Sequence, residues 1–284
     1  MKEMQMPQGL VRISDYKALL QSELFSRMEK FSNNFITQNS EILTAYSRKW
    51  VLDPLHQWSR QWEYCFVFSH IQKYATTHQG EPIKILDAGS GITFFPYFLR
   101  ENIQESVLTC CDVDTSLQKI FGDINTRTKS AVRFLHKDIR NTGLESNSLA
   151  VIYSISVLEH TANYDEIVKE FARLLRDDGI LIVTFDISLD GYSDIPVSQV
   201  KKIIASLQNH LSPIDEDSIL RLLDGKELFG PDIITTSFVS NWNKSLLPWK
   251  YPLLSSLLAS FKKQRFPHFG IKKLTFTCHI FKKI

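Results

Sequence analysis

The sequence predicts an α/β protein built on a doubly wound parallel sheet, and three observations carry that expectation. An apolar run, Ile83-Lys84-Ile85-Leu86, ends in Asp87-Ala88-Gly89-Ser90-Gly91, the pattern of a strand entering a ligand-binding turn. Short apolar runs and helical patterns alternate from there to residue 187, which implies right-handed crossovers between parallel strands. Acids recur where those runs stop, at Asp87, Asp112, Asp138 and Asp186.

Each element follows from its local pattern. Residues 14–78 read as helices, with Leu19, Leu20, Leu24, Phe25 and Met28 at helical spacing. The last of these helices, near 57–76, places Trp58, Trp62, Cys65, Phe66 and Ile71 on roughly one face. Gly80-Glu81-Pro82 punctuates the chain before the first strand at 83–87. A Phe-rich helix follows, with Phe94, Phe95, Phe98 and Leu99. Further strands are expected at 107–111, 132–136, 149–156 and 180–185, with helices near 115–121 and 164–176 between them. Beyond Asp186 the rhythm changes: helices at 197–211 and 215–224, a strand at 233–239, then an aromatic stretch with Trp242, Trp249, Pro248 and Pro252. Leu274 to Phe281 alternates cleanly and forms a terminal strand.

Composition narrows the function classes. At 284 residues, 43% apolar and 23% charged, the chain suits one α/β domain with additions or two small domains. A net charge of +2 makes neither a polyanion nor a membrane surface the default partner. Residues 261–284 hold seven Lys or Arg and no acid, which reads as a surface strand with basic edges rather than a nucleic-acid patch. Cys65, Cys110, Cys111 and Cys278 form no C-x-x-C pair, so neither a zinc site nor a disulfide framework is indicated. The N-terminal residues lack an apolar signal core, and no run approaches membrane-spanning length. A cytoplasmic protein with reduced thiols and no bound metal is expected.

Asp87 discriminates between ligands. A carboxylate beside the glycine turn would repel a pyrophosphate seated on the following helix, so the turn favours a cationic ligand over a dinucleotide. The acid-plus-glycine turn resembles motif I of the class I S-adenosylmethionine-dependent methyltransferases, Asp-x-Gly-x-Gly-x-Gly. Asp87, Gly89 and Gly91 match, and Thr93 stands in place of the third glycine. The resemblance covers about 83–187 and the terminal strand. It implies a Rossmann-like seven-stranded sheet with an antiparallel last strand, preceded by N-terminal helices. It also implies S-adenosylmethionine as cofactor.

The resemblance assigns roles along the strand ends. Asp112, 21 residues after Gly91, is placed to accept from ribose hydroxyls, with Val113 beside it. Asp138 is placed to accept from the adenine amino group while Ile139 packs on the ring. Ser154 and Ser90 complete the donor set. Ser154 to His160 resembles the family's segment after the fourth strand, although Leu149-Ala150 replaces its usual Phe-Asp opening. His160 is the candidate base, or a structural neighbour of the cofactor loop. Asp186 is a second candidate for positioning an acceptor, or a strand-end cap. Arg60 would pair with the donor's carboxylate if an N-terminal helix covers the site. Trp62 is either a substrate contact or core.

The expected organisation is an N-terminal helical lid (1–80), a donor-binding core (81–187), a helical substrate-cap insertion (188–262) and a terminal strand (263–284). The expected activity is methyl transfer to a small-molecule acceptor, at an oxygen of a sugar or other natural product, in biosynthesis. An NAD-dependent oxidoreductase and a non-catalytic S-adenosylmethionine-binding module are the competing readings.

Overall fold

The computed structural model describes residues 6–47, 52–191, 195–247 and 272–284. The chain opens with a two-residue strand β1 (Gly9–Leu10) and helices α1 (Ile13–Leu20), α2 (Glu23–Gln38), α3 (Ser40–Ser47) and α4 (Arg60–Thr77). Ser22 starts α2 by accepting a hydrogen bond from the Phe25 amide at 3.1 Å, satisfying one of the first-turn donors. α4 departs from the single apolar face expected of it. It lies between β5 and helices α1 and α2, so its first two turns, Gln61 to Phe68, are covered all round. Polar Gln61 and Glu63 are buried along with Trp62, Phe66 and Phe68.

The alternating core follows. β2 (Ile83–Ala88), α5 (Phe95–Asn102), β3 (Ser106–Asp112), α6 (Leu117–Thr128), β4 (Arg133–His136) and β5 (Leu149–Ile155) lead through a short 3-10 turn (Leu158–His160) to α7 (Tyr164–Leu174) and β6 (Leu175–Ser188). β7 (Ile195–Pro196), α8 (Val197–His210), β8 (Leu211–Pro213), α9 (Glu216–Asp224), α10 (Thr236–Trp242) and β9 (Leu274–Lys283) complete it. The sheet runs β4-β3-β2-β5-β6-β9-β1, parallel from β4 to β6. β9 is antiparallel to β6, from Ile180 opposite Lys282 to Ser188 opposite Leu274. The short β8 pairs with the outer side of β9. Six principal strands thus carry three short ones, β1, β7 and β8. Strand order reverses between β2 and β5, and such a switch point opens a crevice beyond the carboxyl ends of the strands.

Two expectations fail here. Residues 233–239 do not form a strand: Ile233 makes only an isolated bridge to Arg12. Thr235 instead accepts from the Phe238 amide at 3.2 Å and caps α10, so local capping overrides the β-branched run. The described part of the expected cap also lies elsewhere. Val200, Ile203, Ile204 and Leu207 of α8 pack with Ile167, Val168 and Phe171 of α7 against the sheet face carrying Leu181 and Val183. α4, α5 and α6 cover the other face with α1 and α2 outside them. Tyr192, Trp249 and Tyr251, aromatic residues of the expected cap segment 188–262, lie outside the described residues. No described helix is long and apolar enough to cross a membrane.

Candidate active site

The loop after β2 is shaped by its glycines. Gly89 (φ +79°) and Gly91 (φ +51°) both take left-handed backbone. A Cβ on Gly89 would sit 2.6 Å from Val157 Cγ1, and one on Gly91 would sit 3.1 Å from Tyr46 Oη. The Gly89 and Ser90 amides donate to the Cys111 carbonyl at 2.9 and 3.1 Å, tying the loop to the end of β3. Asp112 holds it from the same side, accepting from the Gly91 amide at 2.9 Å and the Asp114 amide at 3.0 Å. Thr93, in place of the third motif glycine, accepts from the Phe95 amide at 3.3 Å and so braces the first turn of α5.

This loop opens into a cavity of about 910 Å³, toward the upper end of ordinary small-molecule sites. Asp87, Gly89, Ser90, Gly91, Asp112 and Val113 line one part of it, and Asp138 and Ile139 extend that part past β4. Arg60, Asp186 and His160 line the other end, where β5 and β6 stop. Two sequence candidates are not brought in. Trp62 is fully buried in the core under α4, so the core reading applies to it. Ser154 is also fully buried and donates to the Ala88 carbonyl at 3.2 Å, bracing β5 against β2 beneath the loop.

The two ends differ electrostatically. Burial pushes the Asp87 carboxyl up to about 8, with the Tyr153 hydroxyl opposing that rise and Asp112 adding to it. Asp138 is held below the usual carboxylate range by Arg140, whose guanidinium approaches at 2.6 Å. At the other end Arg60 contacts Glu63 and Ser156 through Nη1. Burial works against the Arg60 charge, but Glu63 and then Asp186 hold it firmly protonated. Glu63 has no exposed side-chain surface and accepts from Ser156 Oγ at 2.9 Å and Thr184 Oγ1 at 2.5 Å. Burial also raises the Glu159 carboxyl, against the pull of Arg60.

Sequence reasoning missed several of these groups. Tyr46, near the end of α3, reaches the glycine loop, and desolvation with help from Asp112 and Asp114 pushes its phenol up to about 12. Tyr64 and Tyr153 line the cavity near Asp87. Lys272 and Ser156 line it as well. The one signal for Glu63 was its place in the aromatic, charged stretch Trp58–Tyr64; nothing local pairs it with Thr184 on β6. In the described part of 188–262, up to residue 247, no residue lines the cavity.

Comparison with known proteins places this geometry. Residues 86–183 match the family model described as a methyltransferase domain. A curated relative, the malonyl-[acyl-carrier protein] O-methyltransferase of Laribacter hongkongensis, is 29% identical over 108 residues, 36% of each chain; the match thus spans about a third of that relative's length. Among solved structures, the [4+2]-cyclase SpnF aligns with a TM-score of 0.51 at 13% identity, over 80% of this chain and 82% of that one. Geranyl diphosphate C-methyltransferase from Streptomyces coelicolor aligns at 0.46 and 11% identity, over 76% of both chains. At such identities the structural likeness speaks for the fold alone. Residues 86–183 thus match a methyltransferase domain, in agreement with the reading of the glycine loop.

Proposed function

We propose that the chain transfers a methyl group from S-adenosylmethionine to an oxygen of a small-molecule acceptor. The observation that carries this reading is the left-handed glycine loop flanked by Asp87 and Asp112, opening into one cavity at the switch point of the sheet. The residues fit the donor: a Cβ at Gly89 or Gly91 would crowd the cradle, and the Asp87 carboxylate suits a cation. Asp112 would accept from the ribose hydroxyls, with Val113 beside it. Ile139 would pack on the adenine. Asp138 would have to share its carboxylate between the adenine amino group and Arg140. Gly89, Ser90 and Gly91 bring backbone close to the donor, and Ser154 acts on it only through the strand beneath.

When bound, the donor supplies an already activated methyl group, so the protein's work is alignment and exclusion of water. His160 at the cavity rim would take the proton of a hydroxyl acceptor, and Asp186 would orient that acceptor. Arg60 would hold a carboxylate. The name of the Laribacter relative, an O-methyltransferase, supports oxygen as the atom methylated. A sugar or other natural product is the acceptor class this reading favours.

Calorimetry with S-adenosylhomocysteine and with NAD tests the donor. Binding of the first and not the second is expected; the reverse would return the oxidoreductase reading. Methyl transfer to an oxygen acceptor from a small-molecule panel, followed by mass spectrometry, separates the enzyme from a binding module. Transfer exclusively to nitrogen or carbon would overturn the oxygen assignment.

A further inference from the structure

Residues 52–59 lead into α4 without regular structure, and Pro54, Gln57, Trp58 and Ser59 among them line the cavity. The segment is anchored in the core at two points. Leu55 is fully buried. The Trp58 amide donates to the Leu246 carbonyl at 3.0 Å, and the Trp58 carbonyl accepts from the Tyr16 hydroxyl at 2.8 Å. Its outer edge is fastened at one place. His56 Nδ1 lies 2.6 Å from Asp53 Oδ2, and Nε2 lies 2.9 Å from Glu29 Oε1 on α2. Among the described residues, the only other hydrogen bond that leaves residues 52–57 runs from the Arg60 amide to the Gln57 carbonyl. A small crevice separates Leu52 and Pro54 from Phe35 and Leu43, so packing alone does not close that edge.

The geometry fixes the charge of the fastening. An ionised carboxylate only accepts, so both ring nitrogens must carry protons, which is true of imidazolium alone. Asp53 on its own segment raises the imidazole most, burial opposes it, and Glu29 of α2 adds to the rise, to about 9 from the ordinary 6.5. Those two carboxylates are the charged groups that face the ring, one from each element. A raised value makes the contribution complete below about pH 6.5, and it is lost as pH rises through 9. Glu29, Asp53 and His56 line no part of the cavity. They can therefore act on a ligand only through the wall that they hold.

We infer that His56 is a positioning residue, an imidazolium clamp that fastens residues 52–57 to α2 and holds Pro54 and Gln57 as one wall of the cavity over a bound ligand. The clamp slows ligand escape at neutral pH and releases in alkali. It rests on the methyl-transfer reading for the choice of probe, S-adenosylhomocysteine, and not for the clamp itself.

The test compares the wild type with His56→Gln and Glu29→Gln, both at partly exposed positions away from the cavity. Stopped-flow tryptophan fluorescence follows dissociation of S-adenosylhomocysteine from pH 7 to 10. Hydrogen exchange read by mass spectrometry follows the backbone at pH 7. At pH 7 the ligand leaves both variants about threefold to tenfold faster, the worth of a charged hydrogen bond discounted for exposure. The ratio of variant to wild type cancels the titration of Asp87 and other cavity groups, and it closes as the wild type passes pH 9. Amides of 52–57 exchange faster in both variants, and those of β2, β5 and β6 do not. Wild-type dissociation and exchange in the variants at pH 7, a gap that persists at pH 10, or faster exchange throughout the sheet each overturns the clamp. A wild type that binds no S-adenosylhomocysteine, with faster exchange confined to 52–57 in the variants, overturns the methyl-transfer reading and leaves the clamp standing.

Discussion

The two ends of the cavity are built by different means. At the ends of β2, β3 and β4, most groups are strand-end acids or loop amides acting close to their own place in the chain, Asp87, Asp112, Asp138 and the glycine loop between them, joined by Tyr46 of α3 and Tyr64 of α4. At the ends of β5 and β6, the groups come from four separate segments. Arg60 and Glu63 stand on α4, Ser156 follows β5, Thr184 lies in β6 and Lys272 precedes β9. At the first end Asp112 and Asp138 keep partial exposure while Asp87 is buried; the second seals Glu63 from solvent. On the proposed reading, local geometry would suffice for the donor, whereas choosing an acceptor would draw on contacts that only the assembled fold provides.

The largest effect is expected at the second end. If His160 is the base, His160→Ala lowers the turnover number by about 10²–10⁴-fold with donor affinity nearly unchanged. Weakened donor binding or a lower melting temperature would instead make His160 a structural neighbour of the loop, and would blur the division between the ends. Glu63→Ala comes next. It leaves the Arg60 guanidinium without its buried partner and is expected to cost about 3–5 kcal/mol of folding stability in urea unfolding. A cost near zero would mean that the network does not tie α4 to the sheet.

At the first end, Asp112→Ala is expected to weaken S-adenosylhomocysteine binding by about 1.5–3 kcal/mol, the worth of a hydrogen bond to a charged group. The fold should survive, because the lost partners are two loop amides that water can reach. Unchanged affinity would remove Asp112 from the donor site.

A further expected effect is a pH dependence of Asp87. Its folded value, about 8, lies above the ordinary 3.8, so the folded protein holds a proton that the unfolded chain releases. That contribution to stability is complete below about pH 4 and is lost as pH rises through 8. The free wild-type protein should therefore lose melting temperature between pH 5 and 8 relative to Asp87→Asn. A cationic donor favours the ionised form, so its affinity should climb over the same range, by no more than about tenfold per pH unit. Parallel melting curves for the two proteins would show that Asp87 is already ionised. Tyr64, Tyr153, Cys110 and Asp112 surround it, and none of them supplies a cation.

By itself the sequence determined the sheet and the glycine-loop end of the cavity. Alternating apolar runs set which strands exist, and the glycines with their neighbouring acids marked where the strands stop, because backbone conformation and strand-end position are local properties. β9 was legible in the same way, from Leu274 to Phe281. Tertiary structure decided the rest. Residues 233–239 look like a strand until Thr235 caps α10, and α8 looks free to cover the site until it packs beside α7. Trp62 and Ser154 looked like ligand contacts, but depth in the core is a property of packing and not of spacing. The pairing of Glu63 with Thr184, 121 residues away, has no local signature. It is set by which helix the sheet face buries.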